Sequence, residues 1–324
     1  MNKRRIYGAR NGAQLEASLW ALPHSSPMLH LFVGAAVHAA IPTIQIAPGV
    51  DMPMMNFGFQ KNHTMAFDLG VRGFDTALAY GDAQQKEVGA AVRAAVATGT
   101  VKRSDIFVTS KIPCCPGTAF TKTTLATCNP LTGYKNSTKA IEHDFAVLGL
   151  DYIDLLLLHW PCDDFEDSVT AYKAMEPYVK SGKVRAIGIS NFNASAIKAL
   201  LPRVSIKPAM NQCAFSIAGH SDDLWGRDDA TREACKANNM AYAAYSPLGG
   251  WAKHGTGHVL NDPTVKAVAA AHNVSAAQVA LRWVTQQGVV AVTSSDNPAH
   301  VMGDVASFEF ELTEEEVEKL AKVQ

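Results

Sequence analysis

The run Leu155-Leu156-Leu157-Leu158-His159-Trp160-Pro161 carries the strongest fold signal in this chain. With Asp154 before it, the run is apolar on both faces and then stops at an imidazole. A parallel strand covered on both sides has that composition. Two other runs are built the same way: Gly73-Phe74-Asp75-Thr76-Ala77, with Tyr80 close behind, and Thr109-Ser110-Lys111. Each is strand-like and leads to an ionisable side chain. A βα barrel gathers its strand ends at one face, where active sites sit. Asp75, Tyr80, Lys111 and His159 are therefore expected in one pocket, although they lie far apart along the chain.

Working outward from these runs, strand and helix signals alternate. Inner strands are predicted at 55–59, 71–75, 105–110, 153–158, 184–188, 208–211, 241–245 and 289–292. Helical runs fall near 63–70, 84–97, 137–149, 166–181, 193–201, 228–238 and 264–287, and Thr313 is placed to cap a further helix that begins Glu314-Glu315-Glu316. Eight strands separated by helices predict an α/β fold, a (β/α)8 TIM barrel. Ahead of it, Ile41 to Ile46, a turn at Ala47-Pro48-Gly49 and a returning strand from Met52 predict a β-hairpin that caps the barrel bottom. Residues 41–324 form the expected barrel domain and residues 1–40 an N-terminal extension. The segment 112–136 lacks helical or strand periodicity and is expected to overhang the ionisable residues.

Composition narrows the class. The 324 residues are 48% hydrophobic and 18% charged, as in an ordinary globular protein. A net charge of −1 gives no global field for nucleic acid or membranes. The six cysteines include no C-x-x-C pair and no zinc spacing, so no metal site is expected. Cys114, Cys115 and Cys128 fall in one loop, where reduced thiols are the plainer expectation and a disulfide the alternative. Residues 1–40 start basic at Lys3-Arg4-Arg5, turn apolar from Leu29 to Val37 and end in small residues. That pattern is read as a targeting peptide or a disordered extension. The expected location is cytoplasmic, or secretory or organellar if that segment is cleaved.

The four ionisable residues suit carbonyl reduction. A hydride must reach the carbon while a proton reaches the oxygen. A phenol has a free pKa of about 10 and is a sluggish acid. A neighbouring ammonium stabilises the phenolate, so Lys111 is expected to assist Tyr80. Asp75 would hold the ammonium, and His159 would hydrogen-bond the carbonyl oxygen. Taken singly, each residue has a plainer reading: helix cap, packed loop aromatic, solvated lysine, structural histidine.

The motifs G-x-R-x-x-D-T-A-x-x-Y at 70–80, T-S-K at 109–111 and L-L-L-H-W-P at 156–161 resemble those of the aldo-keto reductase family. So do G-K-V-R-A-I-G-I-S-N-F at 182–192, P-A-M-N-Q at 208–212 and A-Y-S-P-L-G at 244–249. The resemblance implies a (β/α)8 barrel that reduces aldehydes or ketones to alcohols with NADPH or NADH, in the manner of an alcohol dehydrogenase (NADP+). It implies Tyr80 as general acid, assisted by Lys111, Asp75 and His159. It implies that Ser190, Asn191 and Gln212 hold the carboxamide, that Tyr245 stacks on the nicotinamide, and that Ser246 and Leu248 meet the pyrophosphate. Gly58, Phe59 and Asp75 are further cofactor candidates. Phe57 and Trp160 are expected to shape the substrate pocket beside Tyr80 and His159. The alternative is a cofactor-binding regulatory subunit with little turnover. The expected partner is a small carbonyl compound, and the expected state a monomer, with a dimer as the alternative.

One departure concerns the cofactor. Val292-Thr293-Ser294-Ser295 and then His300 stand where the family has a lysine and an arginine for the 2′-phosphate. Ser294, Ser295 and His300 are the remaining candidates there, with Asp296 nearby. NADP(H) is the cofactor the resemblance implies, and NAD(H) is admitted by the loss of those cations.

Overall fold

A computed structural model of the chain describes residues 41–58, 62–99, 101–115, 136–220, 226–250 and 256–323. The extension 1–40, Phe59, Cys128 and residues 116–135 of the long loop lie outside the described residues.

Strands β1 (Thr43–Ala47) and β2 (Val50–Pro53) pair antiparallel around a turn at Pro48-Gly49, where Gly49 adopts a left-handed φ of 71°. The barrel follows. It consists of β3 (Met55–Gly58), β4 (Gly73–Asp75), β5 (Phe107–Ile112), β6 (Ile153–Leu158), β7 (Val184–Ser190), β8 (Met210–Ala214), β9 (Ala241–Tyr245) and β10 (Val290–Thr293). These strands pair in parallel in chain order, and β10 returns to β3 to close the ring.

The helices between and after the strands are α1 (His63–Asp68), α2 (Asp82–Ala97), α3 (Ser137–Leu148), α4 (Phe165–Lys173), α5 (Glu176–Lys180) and α6 (Ala194–Leu200). They continue with α7 (Asp229–Ala237), α8 (Thr256–Asn261), α9 (Pro263–His272), α10 (Ala276–Thr285), α11 (Pro298–Ala306) and α12 (Glu314–Leu320). Asn136, Asp164, Asn193, Asp228, Asp262, Ser275, Asn297 and Thr313 each accept from a backbone N–H of the first turn that follows. Two expected helices are broken. The run 166–181 splits into α4 and α5 because Pro177 has no N–H and its ring crowds the carbonyl of Lys173. The run 264–287 splits where Asn273 turns left-handed and Ser275 starts a new capping box.

The four leucines of β6 divide by strand alternation. Leu155 and Leu157 point into the barrel and pack with Phe107, Met210 and Val290. Ile46, Val50 and Met52 of the hairpin and Met54 complete that inner cluster, so the hairpin plugs the bottom. Leu156 and Leu158 point outward and pack with Val108 and Ile187 of neighbouring strands under the helices. Each such side chain contributes roughly 1.5–3 kcal/mol on burial. Near the bottom, the buried Asp154 carboxylate accepts from Arg103 (2.9 Å), Arg185 (2.8 Å) and the Val108 backbone N–H (3.0 Å).

Candidate active site

Asp75 is the last residue of β4, Lys111 lies near the end of β5, and His159 follows β6 directly. Tyr80 is carried by a single 3₁₀ turn, Leu78–Tyr80, after β4. Strand alternation turns Asp75 and Lys111 into the barrel mouth. There the Lys111 ammonium donates to the Asp75 carboxylate, to the Thr76 carbonyl oxygen (3.1 Å) and to the Tyr80 hydroxyl. Gln212 Nε2 donates to the second Asp75 oxygen at 2.9 Å. The Lys111 nitrogen lies 5.2 Å from the Tyr80 ring centre. The edge of Tyr80 meets the His159 ring, with centres 5.8 Å apart and planes at 80°. All four expected residues are thus brought together.

The charge states follow from burial and neighbours. Burial works against the Lys111 ammonium, but the Asp75 carboxylate and the Tyr80 hydroxyl outweigh it and hold its pKa above the ordinary value. Lys111 is therefore cationic. Burial, aided by the Lys111 charge, pushes His159 well below its ordinary value, so the imidazole is neutral at pH 7. Tyr80 corrects one expectation. Lys111 pulls its pKa down as anticipated, but burial pushes harder in the other direction, and Asp75 adds to the rise. The phenol is net raised and keeps its proton at neutral pH.

A buried polar network missed by the sequence reading backs this site. The Thr76 hydroxyl donates to Gln85 Oε1 at 2.6 Å. Gln85 Nε2 donates to the Ser110 hydroxyl at 3.1 Å and to the Asp144 carboxyl. Gln85 projects from α2 and Asp144 from α3, and both are fully buried. Burial pushes Asp144 up to about 7, against the hydrogen bonds of Ser110 and Gln85 and the charge of Lys111. The available sequence signal was a polar residue on the otherwise apolar face of each helix.

The cofactor candidates form two groups. Ser190, Asn191 and Gln212 are buried side by side next to Asp75. The Ser190 hydroxyl donates to the Gln212 carbonyl oxygen (2.7 Å), and Asn191 Nδ2 donates to the His159 carbonyl oxygen (2.9 Å). The half-buried Tyr245 ends β9, and its hydroxyl donates to Asn191 Oδ1 at 2.9 Å. That bond pins the ring while leaving part of it accessible, which fits a flat partner stacked on it. Asn191 and Ser246 follow β7 and β9 with left-handed φ of 65° and 52°. Non-glycine residues rarely adopt that conformation, and such strain clusters at functional sites. Leu248 is half-buried nearby in sequence. Gly58 packs so closely on β4 that a Cβ would sit 3.1 Å from the Asp75 carbonyl oxygen. In the second group, Ser294 and His300 are exposed and Ser295 half-buried beyond β10. Asp296 accepts from the Asn62 backbone N–H at 3.1 Å, which commits part of its carboxylate to the start of α1. The accessible face of Tyr245 beside Asn191 suits a flat ring, and positions 294–300 beyond β10 carry no lysine or arginine.

Three expectations change. Phe57 does not reach the pocket. It is fully buried in the outer layer and pairs in register with Phe74, on the face opposite Gly58 and Asp75. Trp160 is only 1% exposed and packs against His159, with ring centres 4.5 Å apart, so it backs the imidazole instead of offering a free surface. The loop thiols are not all reduced: Cys114 is bonded to Cys162 of the next loop, and Cys115 is also disulfide-bonded. The Cys114–Cys162 bond joins two loops 48 residues apart, whereas the sequence expectation concerns the single loop of Cys114, Cys115 and Cys128. Among the described residues, no group of His, Cys, Asp or Glu could hold a metal, and no helix is long and apolar enough to cross a membrane.

Comparison with known proteins points one way. The model of the Aldo/keto reductase family matches residues 60–324. An aldo-keto reductase of Mycolicibacterium smegmatis is 33% identical over 290 residues, covering 87% of this chain and 90% of that one. A glyoxal reductase of Bacillus subtilis is 31% identical over 288 residues, covering 86% and 91%. Among solved structures, a Bombyx mori aldo-keto reductase in complex with NADP superposes with a TM-score of 0.72 at 27% identity, covering 88% of this chain and 93% of the other.

Proposed function

The chain belongs to the aldo/keto reductase family, and from that premise we propose that it reduces aldehydes and ketones to alcohols at the Asp75–Tyr80–Lys111–His159 cluster. The observation that carries this reading is the Lys111 ammonium held between the Asp75 carboxylate, the Thr76 carbonyl and the Tyr80 hydroxyl. A nicotinamide dinucleotide, when bound, supplies the hydride. The protein's own residues manage the oxygen. As negative charge builds there, the Tyr80 hydroxyl gives up its proton, and Lys111 stabilises the phenolate left behind. A raised resting pKa suits this role, because Tyr80 holds its proton until charge appears on the substrate. Neutral His159 donates a hydrogen bond to the same oxygen and orients it. Asp75 and Gln212 keep the ammonium in place.

Ser190, Asn191 and Gln212 would hold the carboxamide, Tyr245 would stack on the ring, and Ser246 and Leu248 would meet the pyrophosphate. Ser294, Ser295 and His300 would face the 2′ position. NADP(H) is the proposed cofactor, with weak discrimination against NAD(H) because no lysine or arginine stands at those positions. The alcohol dehydrogenase (NADP+) type of activity on a broad range of small carbonyl compounds is proposed, by a monomeric enzyme. The bonded Cys114, Cys115 and Cys162 favour an oxidising compartment over the cytoplasm; mass spectrometry of the native N-terminus tests that.

Following NADPH absorbance with a reactive aromatic aldehyde tests the reaction. Turnover is expected, and Tyr80→Phe is expected to lower kcat by about a thousandfold with cofactor affinity retained. Unchanged turnover in that variant removes Tyr80 from the acid role. Cofactor binding with no turnover in the native enzyme favours a regulatory subunit.

A further inference from the structure

Two chain segments that carry candidate catalytic residues are cross-linked just beyond them. Cys114 stands three residues after Lys111 and Cys162 three residues after His159, and the two form a disulfide across a sequence separation of 48. Trp160 sits between the bond and the imidazole. Its indole N–H donates to the Cys114 carbonyl oxygen at 2.8 Å, and its ring lies against His159 at 36°. The Cys162 backbone N–H donates to the Ser168 hydroxyl at 2.8 Å, which ties the far side of the bond to α4.

The backbone of His159 is held independently. Its N–H donates to the Ile112 carbonyl oxygen at 2.9 Å, and its own carbonyl accepts from Asn191 Nδ2 at 2.9 Å. Its ring is different: torsions of an imidazole about its stem are broad, so what packs on the ring sets its angle. Trp160 packs on one side and the Tyr80 edge on another. The disulfide holds the Cys114 carbonyl that anchors the indole. Cys162, one half of the bond, lines a cavity of about 330 Å3 together with Cys115, Ser137 and Thr170.

We propose that the Cys114–Cys162 cross-link is a positioning element for the His159 imidazole, acting through Trp160, and that it makes turnover sensitive to dithiol reductants. The proposal rests on the carbonyl-reductase reading above. In the reaction, a thiolate of the dithiol attacks one cystine sulfur and the other leaves as a cysteine thiolate. The second thiol of the reagent then displaces the mixed disulfide. Two electrons and two protons pass to the protein, giving two cysteine thiols and one oxidised reagent.

The test is kinetic. The enzyme is treated with dithiothreitol under native conditions, thiols are counted, and kcat/KM for a small aldehyde is measured with the dissociation constant for NADPH from fluorescence quenching. On reduction kcat/KM should fall about tenfold, while NADPH affinity and binding stoichiometry change less than about twofold. Cys114→Ser/Cys162→Ser should reproduce the reduced value and lose the response. Cys115→Ser should keep native rates and the response. Trp160→Phe keeps a ring but loses the indole N–H, so it should remove most of the response; the two changes are then non-additive. A purely structural bond would instead lower the active fraction and add to the effect of Trp160→Phe. Equal kcat/KM before and after full reduction overturns the proposal, as does a response that survives in the double serine variant. If that variant does not fold, hydrogen exchange of the Trp160 indole N–H, which donates to the Cys114 carbonyl oxygen, decides in the reduced native protein: faster exchange supports the proposal, and unchanged exchange overturns it. Absence of turnover before reduction counts against the reductase reading instead, and the exchange measurement still reports on the cross-link.

Discussion

Lys111 and Asp75 are a buried ion pair, 0% and 3% exposed. Burial of such a pair is costly, and removing one partner strands the other. Lys111→Met is expected to lower stability by about 3–5 kcal/mol, because the Asp75 carboxylate then lacks a cation. Adding Asp75→Asn should restore much of that loss although activity stays absent. Urea titrations of the three proteins check this, and a double variant no more stable than Lys111→Met would show that the pair is not the source. Asp144 makes a pH prediction. Its folded pKa is raised to about 7 from an ordinary 3.8. The folded state therefore keeps a proton that the unfolded chain has lost, and stability declines as pH rises toward 7. Asp144→Asn removes that titration, so its melting temperature should fall less than the native protein's between pH 5 and 8. The difference amounts to about 2 kcal/mol over the two pH units up to 7. Asp304, also raised to about 7, titrates in both proteins and cancels from the comparison.

The elements were largely legible because their signals are local. β6 and β9 run over Ile153–Leu158 and Ala241–Tyr245, as the periodicity predicts. The capping box of Thr313 and Glu316 opens α12 at the acidic run Glu314-Glu315-Glu316, as its helix-start pattern predicts. Helix breaks were less legible, since Asn273 ends α9 by its backbone conformation, which periodicity does not encode. Packing between elements was not legible at all. Gly89 of α2 faces α3, and a Cβ there would stand 1.8 Å from the Leu148 carbonyl oxygen. By helix propensity alone Gly89→Ala would gain about 1 kcal/mol. The close approach should win, and the variant is expected to lose roughly 1–3 kcal/mol as α2 and α3 are forced apart. Thermal melts decide the sign. The same approach holds Gln85 and Asp144 together behind Lys111, so kcat should fall with stability.

At the scale of the whole molecule, a dinucleotide that binds only the folded barrel must stabilise it. At about a hundred times its dissociation constant, NADPH should add about 2.7 kcal/mol, a rise of about 5 °C or more in melting temperature. NADH at equal concentration should come within about tenfold in affinity, because exposed Ser294 and His300 offer a 2′-phosphate little charge. A hundredfold preference for NADPH in thermal shifts would reveal a cation elsewhere that grips the phosphate. The chain's own order of residues determined the alternation of strands and helices, the hairpin ahead of them and the ionisable groups at three strand ends. Those features are written in spacing along the backbone, and neighbours in sequence are enough to produce them. Tertiary structure alone decided that Phe57 faces the helices, that Cys114 pairs with Cys162, and that burial outweighs Lys111 at the Tyr80 hydroxyl. Each of those depends on atoms brought close from distant parts of the chain, where register, reach and the exclusion of water act through space.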